Sequence, residues 1–332
     1  MHNLFIVRSP LQIMNAYEAS RHFNTTQNIL VIIHNAGSKN IEQIKNMVDI
    51  FNLDNIWSKI IEIEDNKKSK FFKYVKLIKS LQQNKYETIF IGDFGTIFKS
   101  LLANLEYKQS YLMDDGTATI ITHKTISTYF HKRKLRLKEL RFLLFGLKAK
   151  IKKDINFFTI FNLKQLNNEI IVKHTFNNVK KRFLSHKHHD DTIYLLGQNL
   201  TQGNIVTKEK YIYYIRQIIN RYKNKKIIYM PHRTEILHKE LKDLVNDNFI
   251  IKDTTMPIEI FFLKNQVYPK HIISFFSTAL FTLNVMFDKS KIESFVINLD
   301  EITFRVKTVK LCQDFLQTTS IIQSPLKRYS TL

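Results

Sequence analysis

A single cysteine, Cys312, excludes an internal disulfide and fits a reducing compartment. Long apolar runs are absent as well. The first apolar stretch, Leu4-Phe5-Ile6-Val7, stops at Arg8, so it reads as a strand and not as a signal peptide. No run is long enough to span a bilayer, and the expected location is cytoplasmic. No GxGxxG, P-loop or CxxC pattern occurs, so those dinucleotide, nucleotide and redox signatures are missing. Acids are scarce: 29 Asp and Glu stand against 51 Lys and Arg, a formal net charge of +22. Such an excess asks for a polyanionic neighbour, whether nucleic acid, acidic lipid headgroups or an anionic substrate.

What is present is a folded chain. Its 332 residues suit two ordinary domains, and 44% hydrophobic with 12% aromatic residues excludes wholesale disorder. Strand signals at 3–7, 29–34, 57–62, 88–92 and 110–113 alternate with helix signals at 11–23, 41–51, 71–83 and 96–105. After a polar stretch over 173–191 the alternation restarts. Strands are predicted at 192–196, 226–230, 249–252, 271–275 and 294–299, with helices at 211–222, 235–245, 257–263, 278–286 and 307–316. Alternation of this kind predicts an α/β fold class with mainly parallel sheets, in two βαβ domains facing across a cleft. The domains are expected at 1–185 and 186–305, with a C-terminal helix and tail (306–332) as a candidate to pack back on the first.

Two stretches stand apart. Segment 131–153 interleaves ten Lys and Arg with eight Leu and Phe. Aromatic platforms for bases are sparse in it, so an anionic membrane surface is the expected partner and nucleic acid is not. A structural helix buried in the fold or in a dimer interface explains the same pattern. The cluster His186, His188, His189, Asp190 and Asp191 resembles a metal site in composition only and reads as a solvated linker.

Three apolar runs deliver polar groups at their ends, where open α/β sheets bind ligands. Tyr111-Leu112-Met113 leads into Asp114-Asp115-Gly116, Ile227-Ile228-Tyr229-Met230 into Pro231-His232-Arg233, and Ile272-Ile273-Ser274-Phe275-Phe276 into Ser277-Thr278. Adjacent acids repel, so one carboxyl can be raised to serve as a base, although Asp and Gly also simply suit a turn. A Mg²⁺-binding acidic motif is weaker, because no third ligand is evident. His232 and Arg233 could hold a phosphate and give it a proton. Ser277 and Thr278 open a helix, where hydroxyls and unpaired N–H groups make an anion site or an ordinary N-cap. Gly197-Gln198-Asn199 follows a strand and lets backbone approach a ligand. Glu259, in a helix's first turn, fits either the helix dipole or a ribose diol. Arg8, Ser9 and Gln12 look ligand-facing.

Together these pieces resemble bacterial sialyltransferases, most closely glycosyltransferase family 52, the lipooligosaccharide sialyltransferases. The motifs that carry the resemblance are Leu4-Phe5-Ile6-Val7-Arg8-Ser9-Pro10-Leu11-Gln12, Asp114-Asp115-Gly116, Tyr229-Met230-Pro231-His232-Arg233 and Ser274-Phe275-Phe276-Ser277-Thr278-Ala279-Leu280, in the family's order. The resemblance implies a GT-B fold, the donor on the second domain and the acceptor on the first. It implies inverting transfer of sialic acid from CMP-sialic acid to a terminal galactose, with no cofactor and no obligatory metal. Asp115 would be the general base and His232 the general acid, with Ser277 and Thr278 on the phosphate. Glu259, Gly197, Gln198 and Asn199 would lie near the nucleotide, while Arg233, Asp114, Gly116, Arg8, Ser9 and Gln12 would contact substrate. The family also suggests a homodimer, and its membrane-anchored acceptor together with the 131–153 segment leads to an expected attachment to the inner face of the membrane. Two departures stand out: related enzymes place Pro after the His, whereas Pro231 precedes His232, and the hydroxyl pair is Ser-Thr where Ser-Ser is usual. A related transferase using a glucosyl donor is the competing enzyme. Outside enzymes, a basic membrane or nucleic-acid-binding protein would leave the three strand-end motifs idle.

Overall fold

A computed structural model describes residues 1–34, 38–52, 55–64, 70–132, 137–151, 153–183 and 188–329. The chain separates into two compact units, Met1–Arg182 and Phe183–Leu332. In the first, β1 (His2–Val7), α1 (Pro10–His22), β2 (Asn28–His34), α2 (Ser38–Asn52) and β3 (Trp57–Glu64) come first. They are followed by α3 (Lys70–Leu81), β4 (Lys85–Ile91), α4 (Thr96–Asn104), β5 (Glu106–Met113) and α5 (Ala118–Lys132). The unit closes with α6 (Leu137–Leu143), β6 (Asn156–Thr159), β7 (Ile171–Lys173) and α7 (Asn177–Arg182). Its seven described strands form one parallel sheet in the order β3-β2-β1-β4-β5-β6-β7.

Leu4, Phe5, Ile6 and Val7 of β1 are all fully buried. A central parallel strand is covered by helices on both faces, so its apolar run is unbroken where a half-exposed strand would alternate. That is why the apolar runs mark the strands so plainly here. Helix α7 joins the unit through Glu18 of α1, whose carboxylate accepts the N–H groups of Asn178 (3.3 Å) and Val179 (2.9 Å). These two amides are orphan donors of a helix start, and a buried carboxylate satisfies them.

The second unit contains β8 (His188–Leu196), α8 (Lys208–Arg221), β9 (Ile227–Met230), α9 (Lys239–Lys242), β10 (Phe249–Ile251) and α10 (Ile258–Lys264). It continues with β11 (Val267–Ser274), α11 (Thr278–Met286), β12 (Lys291–Val296), α12 (Val306–Leu316) and β13 (Ile322–Pro325). Its six described strands are again parallel, in the order β10-β9-β8-β11-β12-β13. Counting from the first strand of each unit, both sheets begin 3-2-1-4-5-6, the doubly wound order of nucleotide-binding domains.

Several details depart from the sequence reading. The backbone of 188–191, expected in a linker, opens β8 and pairs with β11 from Val267 onward; residue 186 and the side chains of 188–190 lie outside the described residues. The helix expected at 235–245 shrinks to the single turn α9, because 232–235 is used for a loop. Within the second unit α12 is held by Gln313, whose Nε2 donates to Ile297 O at 3.0 Å, and by Phe315, which meets Phe281 at 5.7 Å. Helix α5 escaped notice because seven of its fifteen residues are Thr or Ile, whose stiff χ1 disfavours helix. Strands β6 and β7, of four and three residues, are too short to show a period. In the 131–153 segment α6 anchors itself through Phe142 and the following Leu147, both buried, while Leu140, Leu143 and Leu144 stay exposed. Residues 133–136 and 152 fall outside the described residues.

Candidate functional site

In the first unit the cap of α1 aims a side chain at the sheet edge. Ser9 Oγ accepts the N–H of Gln12 at 3.3 Å, and Pro10 takes the first helical position, where a missing N–H costs nothing. Gln12 is thereby held beneath the loops. Arg8 N–H donates to its Oε1 at 2.7 Å, and its Nε2 donates to Asp115 Oδ1 at 2.7 Å. The Arg8 guanidinium lies 3.1 Å from Asp93 Oδ2 and over the Phe98 ring at 5.0 Å. Loops after β1, β4 and β5 are thus tied at the carboxyl edge, beside the β1–β4 switch in strand order where such sheets bind ligands.

The two adjacent acids have separate fates. Asp114 is 1% exposed. Thr159 Oγ1 donates to its Oδ1 at 2.7 Å and the Ile160 N–H to its Oδ2 at 2.8 Å, so the carboxyl fastens the end of β5 to the end of β6. Burial pushes that carboxyl up to about 7, against the pull of these hydrogen bonds. His174 Nε2 sits 3.8 Å away, and burial drives this imidazole down to about 3, so it is neutral. The expectation that Asp114 contacts substrate is therefore corrected: it is a buried strut with both oxygens occupied. Asp115 remains half-buried at the edge, its backbone N–H held by Thr119 Oγ1 at 2.9 Å. Gly116 adopts φ +62, a conformation strained for any residue with a Cβ, and this turn sets the Asp115 carboxylate apart from Asp114. Gly116 itself is buried and contributes the bend.

The second unit gathers its candidates at the carboxyl ends of β8, β9, β10 and β11. Thr234, two residues past His232, organises the group: its N–H lies 3.3 Å and its Oγ1 2.9 Å from His232 Nδ1, and Asn199 Nδ2 donates to that Oγ1 at 2.9 Å. With Nδ1 accepting, the ring proton belongs on Nε2. Burial, helped by the charge of Arg233, lowers the His232 imidazole to about 4, so it is neutral near pH 7 and offers an N–H. Gln198 Oε1 accepts the Phe276 N–H at 3.2 Å, linking the β8 loop to the β11 loop. Ser277 caps α11, accepting the Ala279 N–H at 3.3 Å, and Thr278 begins the helix. The start of α11 turns its positive dipole end toward the same edge.

Beneath this edge lies a carboxylate that the sequence reading missed. Glu235 Oε2 accepts the His232 N–H at 3.0 Å, while its Oε1 accepts the hydroxyls of Tyr211 (3.2 Å) and Tyr229. The tyrosine hydroxyls are themselves 2.7 Å apart. Burial raises the Glu235 carboxyl above its ordinary range. Gly197 is the lid of this cluster: a Cβ there would stand 2.3 Å from Glu235 Oε2 and 2.6 Å from the Tyr229 hydroxyl. One signal was available, since Glu235 sits three residues after His232 in the same strand-end loop. Glu259 is corrected as well. Its carboxyl is 6% exposed, accepts the Thr282 hydroxyl of α11, and is raised by burial, with Arg233's charge opposing the shift. It braces α10 against α11 and is not presented to a ribose. Among the described residues, no group of three His, Cys, Asp or Glu is placed to hold a metal ion.

Two doubly wound parallel sheets with ligand-type loops on their carboxyl edges define a GT-B fold, the architecture of nucleotide-sugar glycosyltransferases. Solved structures share it at low identity. A Listeria monocytogenes protein described as a UDP-N-acetylglucosamine 2-epimerase matches with TM-score 0.55 and 11% identity, over 96% of this chain and 88% of that one. S. aureus MnaA with UDP gives 0.54 and 10% over 96% and 88%. Phytolacca americana UGT2, complexed with UDP-2fluoro-glucose and pterostilbene, gives 0.51 and 10% over 97% and 85%. No curated protein matches the chain. The family model described as Alpha-2,8-polysialyltransferase (POLYST) matches residues 3–296, and the chain belongs to that family. It is a sialyltransferase-family glycosyltransferase with the GT-B fold.

Proposed function

We propose that this protein transfers sialic acid from CMP-sialic acid to a glycan hydroxyl with inversion. The observation that carries the reading is the character of the second unit's edge. Its nearby carboxyls are hydrogen-bonded, Glu235 half-buried and Glu259 buried, and the same edge carries a neutral imidazole N–H, the Arg233 guanidinium, two hydroxyls and a helix start. Such a set suits a phosphate monoanion and not a cation.

Asp115 removes the proton of the acceptor hydroxyl, and that oxygen forms a bond to the anomeric carbon of the donor. The bond from that carbon to the CMP phosphate oxygen breaks, and its electron pair leaves on the phosphate. His232 meets the developing charge with its Nε2 proton, while Ser277, Thr278 and the start of α11 bind the other phosphate oxygens. Gly197, Gln198 and Asn199 line the nucleotide side. No metal takes part.

The acceptor has two candidates. The family 52 motifs favour the terminal galactose of a lipooligosaccharide. The matched family is described by α2,8 linkage, and the net charge of +22 favours an acceptor that is itself sialylated and anionic.

Incubating the protein with CMP-sialic acid and EDTA, with either a lactoside or a sialylated lactoside, tests all of this. Acceptor-dependent CMP release is expected, and the acceptor whose mass increases decides between the two. Loss of turnover in EDTA that Mg²⁺ or Mn²⁺ restores, or turnover with UDP-glucose and not CMP-sialic acid, would reject the donor reading.

A further inference from the structure

The first unit carries an apolar surface patch that no site residue explains. Leu144 is 84% exposed and Phe72 63%, with Leu143 at 47% and Leu140 at 38%. Phe72 comes from α3, whereas the leucines belong to α6 and the turn after it, so the patch is assembled by tertiary structure. The join is aromatic: Phe145 lies 5.3 Å from Phe71 and 5.8 Å from Phe72, and Phe71 also meets the buried Phe142 at 5.0 Å. Large apolar side chains grouped in this way mark an interaction surface, whereas single exposed leucines do not.

Charge names the occupant. Segment 131–153 holds ten Lys and Arg against one acid, Glu139, and α3 adds Lys70, Lys73, Lys76 and Lys79 with no acid at all. Arg141 stacks over Phe71 at 4.3 Å, and Lys148 and Lys150 are exposed just beyond the patch. A second copy of the chain would bring the same positive charge to a symmetric contact and be repelled. A nucleic acid would satisfy the cations and leave the leucines unused. An anionic bilayer satisfies both, taking the apolar side chains at the acyl boundary and the lysines among the headgroups.

The geometry points to a membrane-docking face built from Phe72, Leu140, Leu143 and Leu144 and flanked by the lysines of α3 and by Arg141, Lys148 and Lys150, with anionic phospholipid as its partner. It stands apart from the donor reading, since none of these residues belongs to either sheet edge. Flotation of the full chain with vesicles of equal parts phosphatidylglycerol and phosphatidylcholine tests it, with phosphatidylcholine vesicles as control. Binding is expected to the anionic vesicles at low salt and not to the neutral ones. Replacing Phe72, Leu143 and Leu144 together by Ser should lower the bound fraction about tenfold or more, with melting temperature and CMP release on a small water-soluble acceptor unchanged. Failure of the wild type to float, or equal flotation of the triple variant, overturns the proposal. So does a wild-type dimer in sedimentation that the triple variant dissolves, or retention on a DNA duplex without retention on vesicles.

Discussion

The two sheet edges share one topology and carry opposite chemistry. After the first strand of each unit comes a loop that must sit close to its neighbours: Arg8-Ser9-Pro10 in one, Gly197-Gln198-Asn199 in the other. In the first unit the loop leads to an acid, with Gln12 holding Asp115 at 2.7 Å above the buried Asp114. In the second it leads to donors, and the half-buried acid Glu235 is consumed in holding the His232 N–H at 3.0 Å. Each edge therefore has one hydrogen-bonded carboxyl that works as structure, Asp114 or Glu235, and one half-buried group beside it, Asp115 or His232. A doubly wound sheet supplies the place for a ligand, and the loop side chains decide whether the place accepts protons or donates them.

The sharpest way to break this comparison is Asp115→Asn. Turnover should fall by about two to four decades, while CMP affinity measured by calorimetry stays at the wild-type value, because the role proposed for Asp115 is toward the acceptor. Unchanged turnover would move the base elsewhere. Next in size is Glu235→Ala, which strands the hydroxyls of Tyr211 and Tyr229 and the His232 N–H. We expect roughly 1–3 kcal/mol of lost stability by chemical denaturation and about a tenfold to hundredfold loss of kcat, with Glu235→Gln recovering part of both. Full activity in the alanine variant would show that His232 needs no support. Ser277→Ala combined with Thr278→Val should weaken CMP binding about tenfold, a ground-state effect that leaves the first edge untouched.

A pH series compares the two groups whose titration burial shifts. Asp114 titrates near 7 when folded and near 3.8 when unfolded, so the folded chain holds a proton that the unfolded chain has lost, and stability falls as pH rises across that window. His232 titrates near 4 when folded and near 6.5 when unfolded, so over that range stability rises with pH. Melting curves of Asp114→Asn and His232→Asn between these limits should lose slopes of opposite sign relative to wild type. Identical slopes in the two variants would contradict the assignment of Asp114 as a raised acid and His232 as a lowered base.

Much of the fold was legible because central parallel strands are buried on both faces. Runs such as Leu4–Val7 and Ile227–Met230 then declare themselves, and the polar residues that follow are the edge. Less legible were elements whose local signals are weak or contrary. Helix α5 is built from β-branched residues, β6 and β7 are shorter than any period, and the charged start of β8 looks like a linker until Val267–Pro269 pairs with it. The candidate residues were mostly visible as well, but their roles were not. Asp114 and Asp115 are chemically identical neighbours, and only Thr159 and Ile160, forty-five and forty-six residues away, distinguish them.

The sequence by itself determined which segments are the central strands, where they end, and that acids follow one edge while His, Arg and hydroxyls follow the other, since these depend on local apolar runs and on residue type. Tertiary structure alone decided which carboxyl is sealed and which remains at the surface, which nitrogen of His232 keeps its proton, and that Phe72 joins the leucines near 143. Each of these depends on neighbours distant in the chain, whose burial and hydrogen bonds set the cost of a charge or of an exposed apolar side chain.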